Sequence, residues 1–311
     1  MTEASHPKVR SWRADREVSL HAQLSDFHRG PGDPTSQWGA DGSFTRAAHT
    51  PEGPATIHLV CRSAESVVEC TAWGAGAEWV LESVPSLLGA DDDPSGFEPH
   101  HPVIAAAWHR FSHWRVPRSG LVMDALAPAV IEQRVTGQEA FAGYRRLVRR
   151  FGEPAPGPVG SVLWLPPRPV DWARIPSWEW LRASVDPARS GALVRAANVA
   201  GRLDQCVGLA LPRAHSRLRA VPGIGVWTAA EVAQRALGDA DAVSFGDFHV
   251  AKDVGWALIG RPVDDAGLAE LLEPYAGHRF RVQHLLALVG HRRGRRGPRM
   301  APRTHLPVRT R

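Results

Sequence analysis

Cysteine is scarce: 311 residues contain only Cys61, Cys70 and Cys206, scattered and odd in number. They set no disulfide framework, so a reducing compartment is expected. No apolar run approaches the ~18 residues that a membrane span needs. The opening MTEASHPKVRSW has no apolar core of the kind a secretory signal carries. These absences predict a cytoplasmic protein without a membrane partner. No internal repeat is evident. His100, His101, His109 and His113 have no cysteine or carboxylate at ligand spacing, so no metal site is predicted. Acid is missing from residues 291–311, which hold eight arginines: Arg292, Arg293, Arg295, Arg296, Arg299, Arg303, Arg309 and Arg311. The formal net charge is +5, so the rest of the chain stands near 5 − 8 = −3. A basic, disordered tail is expected there. Such an arm adds salt-dependent, sequence-independent affinity for nucleic acid.

What is present is ordinary for a globular protein: 43% hydrophobic and 22% charged residues, in a chain long enough for two domains. Residues 1–95 read as a small α+β domain. Val18–Ala22, Thr56–Val60 and Val67–Ala72 alternate as strands do, and a helix follows over Glu78–Leu88. The acidic stretch from Ala90 to Gly96 reads as a linker. From His101 the pattern is helical, over about 102–113, 121–136, 138–151, 187–207, 212–220, 226–237, 247–258, 265–273 and 278–289. The proline-rich segment 153–170 reads as a surface loop. Trp178 and Trp180 are expected to pack rather than to contact a ligand. The fold class is therefore α+β: an antiparallel sheet with helices over 1–95, an all-α domain over 96–290, and the tail 291–311.

The densest information lies between Leu218 and Asp247. Pro222 ends one helix, because its ring fixes φ and removes a donor. Gly223 and Gly225 allow a tight return, Ile224 plugs the gap, and a second helix begins near Val226. Val226, Ala229, Ala230, Ala233 and Leu237 form a mostly small face that permits close helix approach. The first amides of that helix lack intrahelical partners and its dipole adds partial positive charge, which suits a phosphate. An ordinary helix corner is the plainer alternative. Asp247 follows Gly225 by 22 residues. It is also well placed to cap the next helix.

The string Leu218-Arg-Ala-Val-Pro-Gly-Ile-Gly-Val-Trp-Thr-Ala, with Gly246-Asp247 in register behind it, resembles the helix-hairpin-helix motif of the base-excision DNA glycosylases. Residues 123–152 and 277–288 resemble core helices of the bacterial 3-methyladenine DNA glycosylase II type. The resemblance implies a mainly helical glycosylase core behind the small sheet domain. It implies that Asp247 is catalytic. Trp227, Phe27, Gln133 and Glu231 would line the base pocket. Gly223, Ile224, Gly225, Val226, Thr228 and Lys252 would hold DNA phosphate. The run Val116–Gly120 matches the place of a minor-groove wedge. In bifunctional relatives a lysine stands two residues after the second hairpin glycine. Trp227 stands there here, which implies water as nucleophile and no lyase step. Some relatives carry four spaced cysteines; three scattered ones hold no iron–sulfur cluster. No cofactor is expected, beyond a monovalent cation that the hairpin of this family can take. Glu231 falls where the alkylbase enzymes carry an aromatic, so the substrate range is open.

The expected activity is removal of alkylated purines of the 3-methyladenine type from damaged duplex DNA, by a monomer associated with the nucleoid. The transition state resembles an oxocarbenium ion, which a carboxylate stabilises. Trp227 would attract a cationic base by stacking. The base must first leave the duplex, at a cost of a few kcal/mol. A non-catalytic lesion binder and a glycosylase for another damaged or mispaired base are the alternatives.

Overall fold

A computed structural model describes residues 6–62 and 65–291. The arginine-rich tail from Arg292 onward lies outside the described residues. The first part is a five-stranded antiparallel sheet of β1 (Lys8–Arg13), β2 (Ser36–Trp38), β3 (Phe44–Thr50), β4 (Gly53–Arg62) and β5 (Val67–Trp73). Its order is β1-β5-β4-β3-β2. β5 alternates strictly, and its inward Val68, Cys70 and Ala72 pack with Leu59 against Val80, Leu81 and Val84 of α2 (Ala77–Leu87). The expected strand at Val18–Ala22 is instead the start of a short helix, α1 (Leu20–Leu24). The Ser19 hydroxyl accepts from Ala22 N at 3.3 Å, so the residue that spaced the alternation is a helix cap.

The helices follow in chain order: α3 (Pro102–Phe111), α4 (Val122–Ile131) and α5 (Gly137–Phe151), then α6 (Pro169–Arg174), α7 (Ser177–Arg182), α8 (Pro187–Asn198), α9 (Ala200–Asp204), α10 (Leu211–Arg219), α11 (Val226–Val232), α12 (Val250–Ile259), α13 (Asp265–Leu272) and α14 (Arg279–Leu288). The long helix expected over 187–207 is broken at Val199. A π-helical turn, Ala233–Leu237, continues α11. Two apolar clusters organise these elements. One joins α4, α5, α8, α10 and α11; the other joins α3, α12, α13 and α14. The segment from Gly238 to His249 crosses between them.

Three sequence expectations need correction here. Residues 153–170 are not a free loop. Glu153–Pro154 (β6) pairs with Trp164–Leu165 (β7), Ala155 and Leu163 are buried, and Trp164 N donates to Pro34 O at 2.6 Å. The acidic stretch is not a loose linker either, because both Asp92 oxygens accept from the buried Arg281 guanidinium, at 2.7 and 3.0 Å. Of the two tryptophans in α7, only Trp180 packs, stacked on Trp172; Trp178 is 59% exposed.

Candidate DNA-facing site

The hairpin joins α10 to α11. Gly223 takes φ +95°, a conformation that L residues rarely adopt. A Cβ there would stand 2.6 Å from the Ala192 Cβ on α8. Gly225 needs no such freedom, since its φ is −87° and ψ −173°. A Cβ at Gly225 would meet nothing within 4 Å, so it opens onto free space beside the first α11 amides. Ile224 is buried, as its plugging role requires, and Val226 is exposed. Gly223→Ala is expected to destabilise the protein by about 2 kcal/mol or more, from φ strain plus overpacking. Gly225→Ala should change stability little. Denaturant midpoints of the two variants check this contrast.

Gln133 braces the hairpin rather than facing a pocket. Its Nε2 donates to Gly223 O at 3.0 Å and to Thr228 Oγ1 at 2.8 Å. Thr228 is itself buried, so its side chain serves this brace and not a phosphate. Arg195 adds a second brace, from Nε to Pro222 O at 2.9 Å. Lys252 lies along the exposed Phe248, with Nζ 3.7 Å from the ring centroid and 3.0 Å from Phe248 O.

Asp247 sits at the far side of the crossing segment, half-buried. Gly246, at φ +86°, turns the chain into it, and Gly246 N donates to Asp265 Oδ2. Oδ1 of Asp247 accepts from His249 N at 2.7 Å and Val250 N at 3.0 Å, which caps α12. Oδ2 accepts from the Trp227 indole at 3.3 Å. Cap and indole together hold the carboxylate in one orientation. Trp227 is half-buried on the first turn of α11, so hairpin, tryptophan and acid form one group.

One turn further along α11, Glu231 accepts from Ser244 Oγ at 2.6 Å and from Arg235 Nη1 at 2.7 Å. It borders a cavity of about 130 Å³ that Ser25, Asp26, Arg29, Glu132 and Arg235 also line. Burial would raise the Asp26 carboxyl, but His284, Arg235 and Arg29 outweigh it and hold it well below the usual carboxylate range. Burial pushes the Glu132 carboxyl up, against the pull of Arg29 and Arg235. Burial would lower the Arg235 guanidinium, yet Glu231, Asp26 and Glu132 raise it further. Phe27 does not line this cavity. It is buried in the sheet-domain core with Arg46 stacked 4.7 Å above its ring, and its neighbours Asp26 and His28 face the cavity instead.

Sequence reasoning missed Asp26, Arg29, Arg235 and Ser244. A signal existed for Arg235, which stands four residues after Glu231 on one helix. The expected wedge, Val116–Gly120, has its backbone occupied. Ser119 N donates to Arg235 O at 2.9 Å and Gly120 N to Ala236 O at 3.0 Å, along the π-helical turn.

No protein-family model matches the chain. Over 186 residues it is 30% identical to a protein of Mycobacterium tuberculosis described as a probable bifunctional transcriptional activator/DNA repair enzyme AlkA. That alignment takes in 56% of this chain and 34% of the relative, so the chain spans about a third of the curated relatives it matches. Among solved structures, a 3-methyladenine DNA-glycosylase from Archaeoglobus fulgidus superposes with TM-score 0.75 at 17% identity, covering 89% of this chain and 97% of that one. An 8-oxoguanine glycosylase/lyase from Clostridium acetobutylicum does so with TM-score 0.69 at 12% identity, covering 92% and 98%.

Proposed function

We propose, from the premise that this chain has the helix-hairpin-helix DNA glycosylase fold and is similar in sequence to AlkA-type proteins, that it hydrolytically removes damaged bases from duplex DNA. Alkylated purines are the substrates in this reading. The observation that carries it is Asp247: a carboxylate fixed by the His249 and Val250 amides and the Trp227 indole, next to a backbone hairpin suited to phosphate. The hairpin amides hold the strand and read no sequence. Asp247 stabilises positive charge on the sugar as the base departs, and it takes a proton from the attacking water. An N-alkylated purine already bears positive charge, so it leaves without a strong general acid.

Trp227 occupies the place of the lysine through which lyase relatives act, so water is the nucleophile. The prediction is that borohydride traps no covalent complex between the protein and abasic DNA. A trapped adduct on a denaturing gel would overturn the hydrolytic reading. A monovalent cation at the hairpin would share the Pro222 and Gly223 carbonyls with Arg195 and Gln133, each of which donates to one of them. No step depends on such an ion. The chain acts as a cytoplasmic monomer in this reading.

Glu231 and its charged neighbours favour one other reading, a lesion binder that does not release the base. Incubation with methylated duplex DNA separates the two. Release of free methylated bases and formation of alkali-labile sites support the enzyme; tight binding with neither supports the binder.

A further inference from the structure

The cavity beside Glu231 has charged walls with two uncommitted groups. At about 130 Å³ it is roughly tenfold larger than the ~10–15 Å³ one water needs, so it has room for a ligand group. Glu231 and Arg235 satisfy each other, and Asp26 faces His284 at 3.4 Å. Arg29 Nε, by contrast, is buried without a hydrogen-bond partner among the described residues. Glu132 Oε1 stands 3.8 Å from it, too far for a hydrogen bond. Glu132 makes no side-chain hydrogen bond among the described residues. Arg29 and Glu132 therefore stand side by side, held apart, and both residues line the cavity. Arg29 is held in place: its N donates to Asp33 Oδ2 at 2.7 Å, and its guanidinium lies 5.0 Å from the centroid of the Tyr144 ring. Glu231 links the cavity to the acid, since Ser244, which donates to it, precedes Asp247 by three residues.

We propose that Arg29 and Glu132 read the Watson–Crick edge of an everted purine and select guanine-type over adenine-type damaged bases. The proposal rests on the glycosylase reading above. Guanine offers a carbonyl acceptor, O6, beside two donors, N1–H and N2–H2. Arginine is the usual partner of the carbonyl. A carboxylate accepts from N1–H and N2–H2 together. Adenine offers one amino donor beside the N1 lone pair. A carboxylate that takes the amino group then faces that lone pair, and the Arg29 guanidinium finds no carbonyl to accept from it. Sites that leave a buried polar group unpaired reject the wrong ligand strongly. Stacking does not make this distinction, because both purines present similar faces.

The test uses one duplex treated with a methylating agent, which carries N3-methyladenine, N3-methylguanine and N7-methylguanine together. Each released base is quantified and corrected for spontaneous loss from the same DNA. The N3 pair shares its alkyl position and differs on the edge that Arg29 and Glu132 face. Wild type is expected to release N3-methylguanine at least about tenfold faster than N3-methyladenine. Glu132→Gln should shrink that preference to near parity, since an amide both donates to N1 and accepts from the adenine amino group. Equal release of the N3 pair by wild type, or faster release of the adenine base, overturns the selectivity and leaves the glycosylase reading intact. Release of no base overturns both. An unchanged ratio in a folded Glu132→Gln protein removes Glu132 from the proposal.

Discussion

Asp247→Asn is expected to lower base release by about 10²–10³-fold, the range seen when one preorganised stabiliser of transition-state charge is removed. Duplex binding should stay within a few-fold of wild type. The two effects separate because different groups carry them. In the proposed mechanism the backbone at Gly223–Val226 holds phosphate, and the substitution does not touch it. In that mechanism the carboxylate alone faces the developing sugar cation. Asparagine keeps one oxygen for His249 N and Val250 N, so the α12 cap survives and the melting temperature should move little. Its amide nitrogen cannot accept from the Trp227 indole as Oδ2 does, and it carries no charge. Single-turnover release from methylated duplex, with binding measured on the same DNA, checks the prediction. Wild-type release by Asp247→Asn would remove Asp247 from the mechanism.

The hairpin was legible because local chemistry dictates it, and Asp247 as the residue that secures the start of the next helix. Proline and glycine fix the turn between α10 and α11, and Ile224 needed only to be apolar. Even so, the reason for Gly225 was not visible: it is extended rather than left-handed, and its missing side chain leaves open space. The fold class was legible from the helical periodicity beyond His101. The strands β1 to β3 were not. β1 is an edge strand reading Lys-Val-Arg-Ser-Trp-Arg, mostly exposed, and β3 is buried through Thr45, Arg46 and Ala47 rather than through an apolar alternation. Its register against β4 decides its burial, and register is a long-range property.

The cavity was illegible for a related reason. Its walls come from separate segments: Ser25 to Arg29 beside the sheet, Ala125 to Glu132 on and just after α4, and Glu231 with Arg235 along α11. Each charge alone reads as a solvated surface residue. Only folding pairs Asp26 with His284 and leaves Arg29 and Glu132 apart; the Glu231–Arg235 pair alone has local spacing. Phe27, expected in the pocket, lies in the sheet core, while its polar neighbours Asp26 and His28 form the wall.

Breaking the Arg281–Asp92 pair is expected to have the largest effect on stability. Arg281 is fully buried and Asp92 is 4% exposed at the side chain. The guanidinium lies 5.8–5.9 Å from the centroids of Phe97, Trp108 and Trp114, so aromatic rings surround it. Asp92→Ala therefore strands a buried charge, at a cost of about 3–5 kcal/mol. In a chain of this size that lowers the melting temperature by roughly 10 °C. Asp92 also accepts from Val116 N, at the start of the run that continues onto the π-helical turn. The same α14 that carries Arg281 carries Gln283, whose Oε1 accepts from Ser244 N at 3.1 Å and whose Nε2 donates to Ser244 Oγ at 3.0 Å. The acidic segment thus anchors the helix that supports Ser244, three residues before the acid. Asp91→Ala serves as the control. Its contact with Arg118 is solvent-exposed at 3.5 Å, worth at most about 1 kcal/mol. Thermal unfolding of the two alanine variants side by side decides the matter. Equal melting temperatures would mean that the buried pair does not anchor α14.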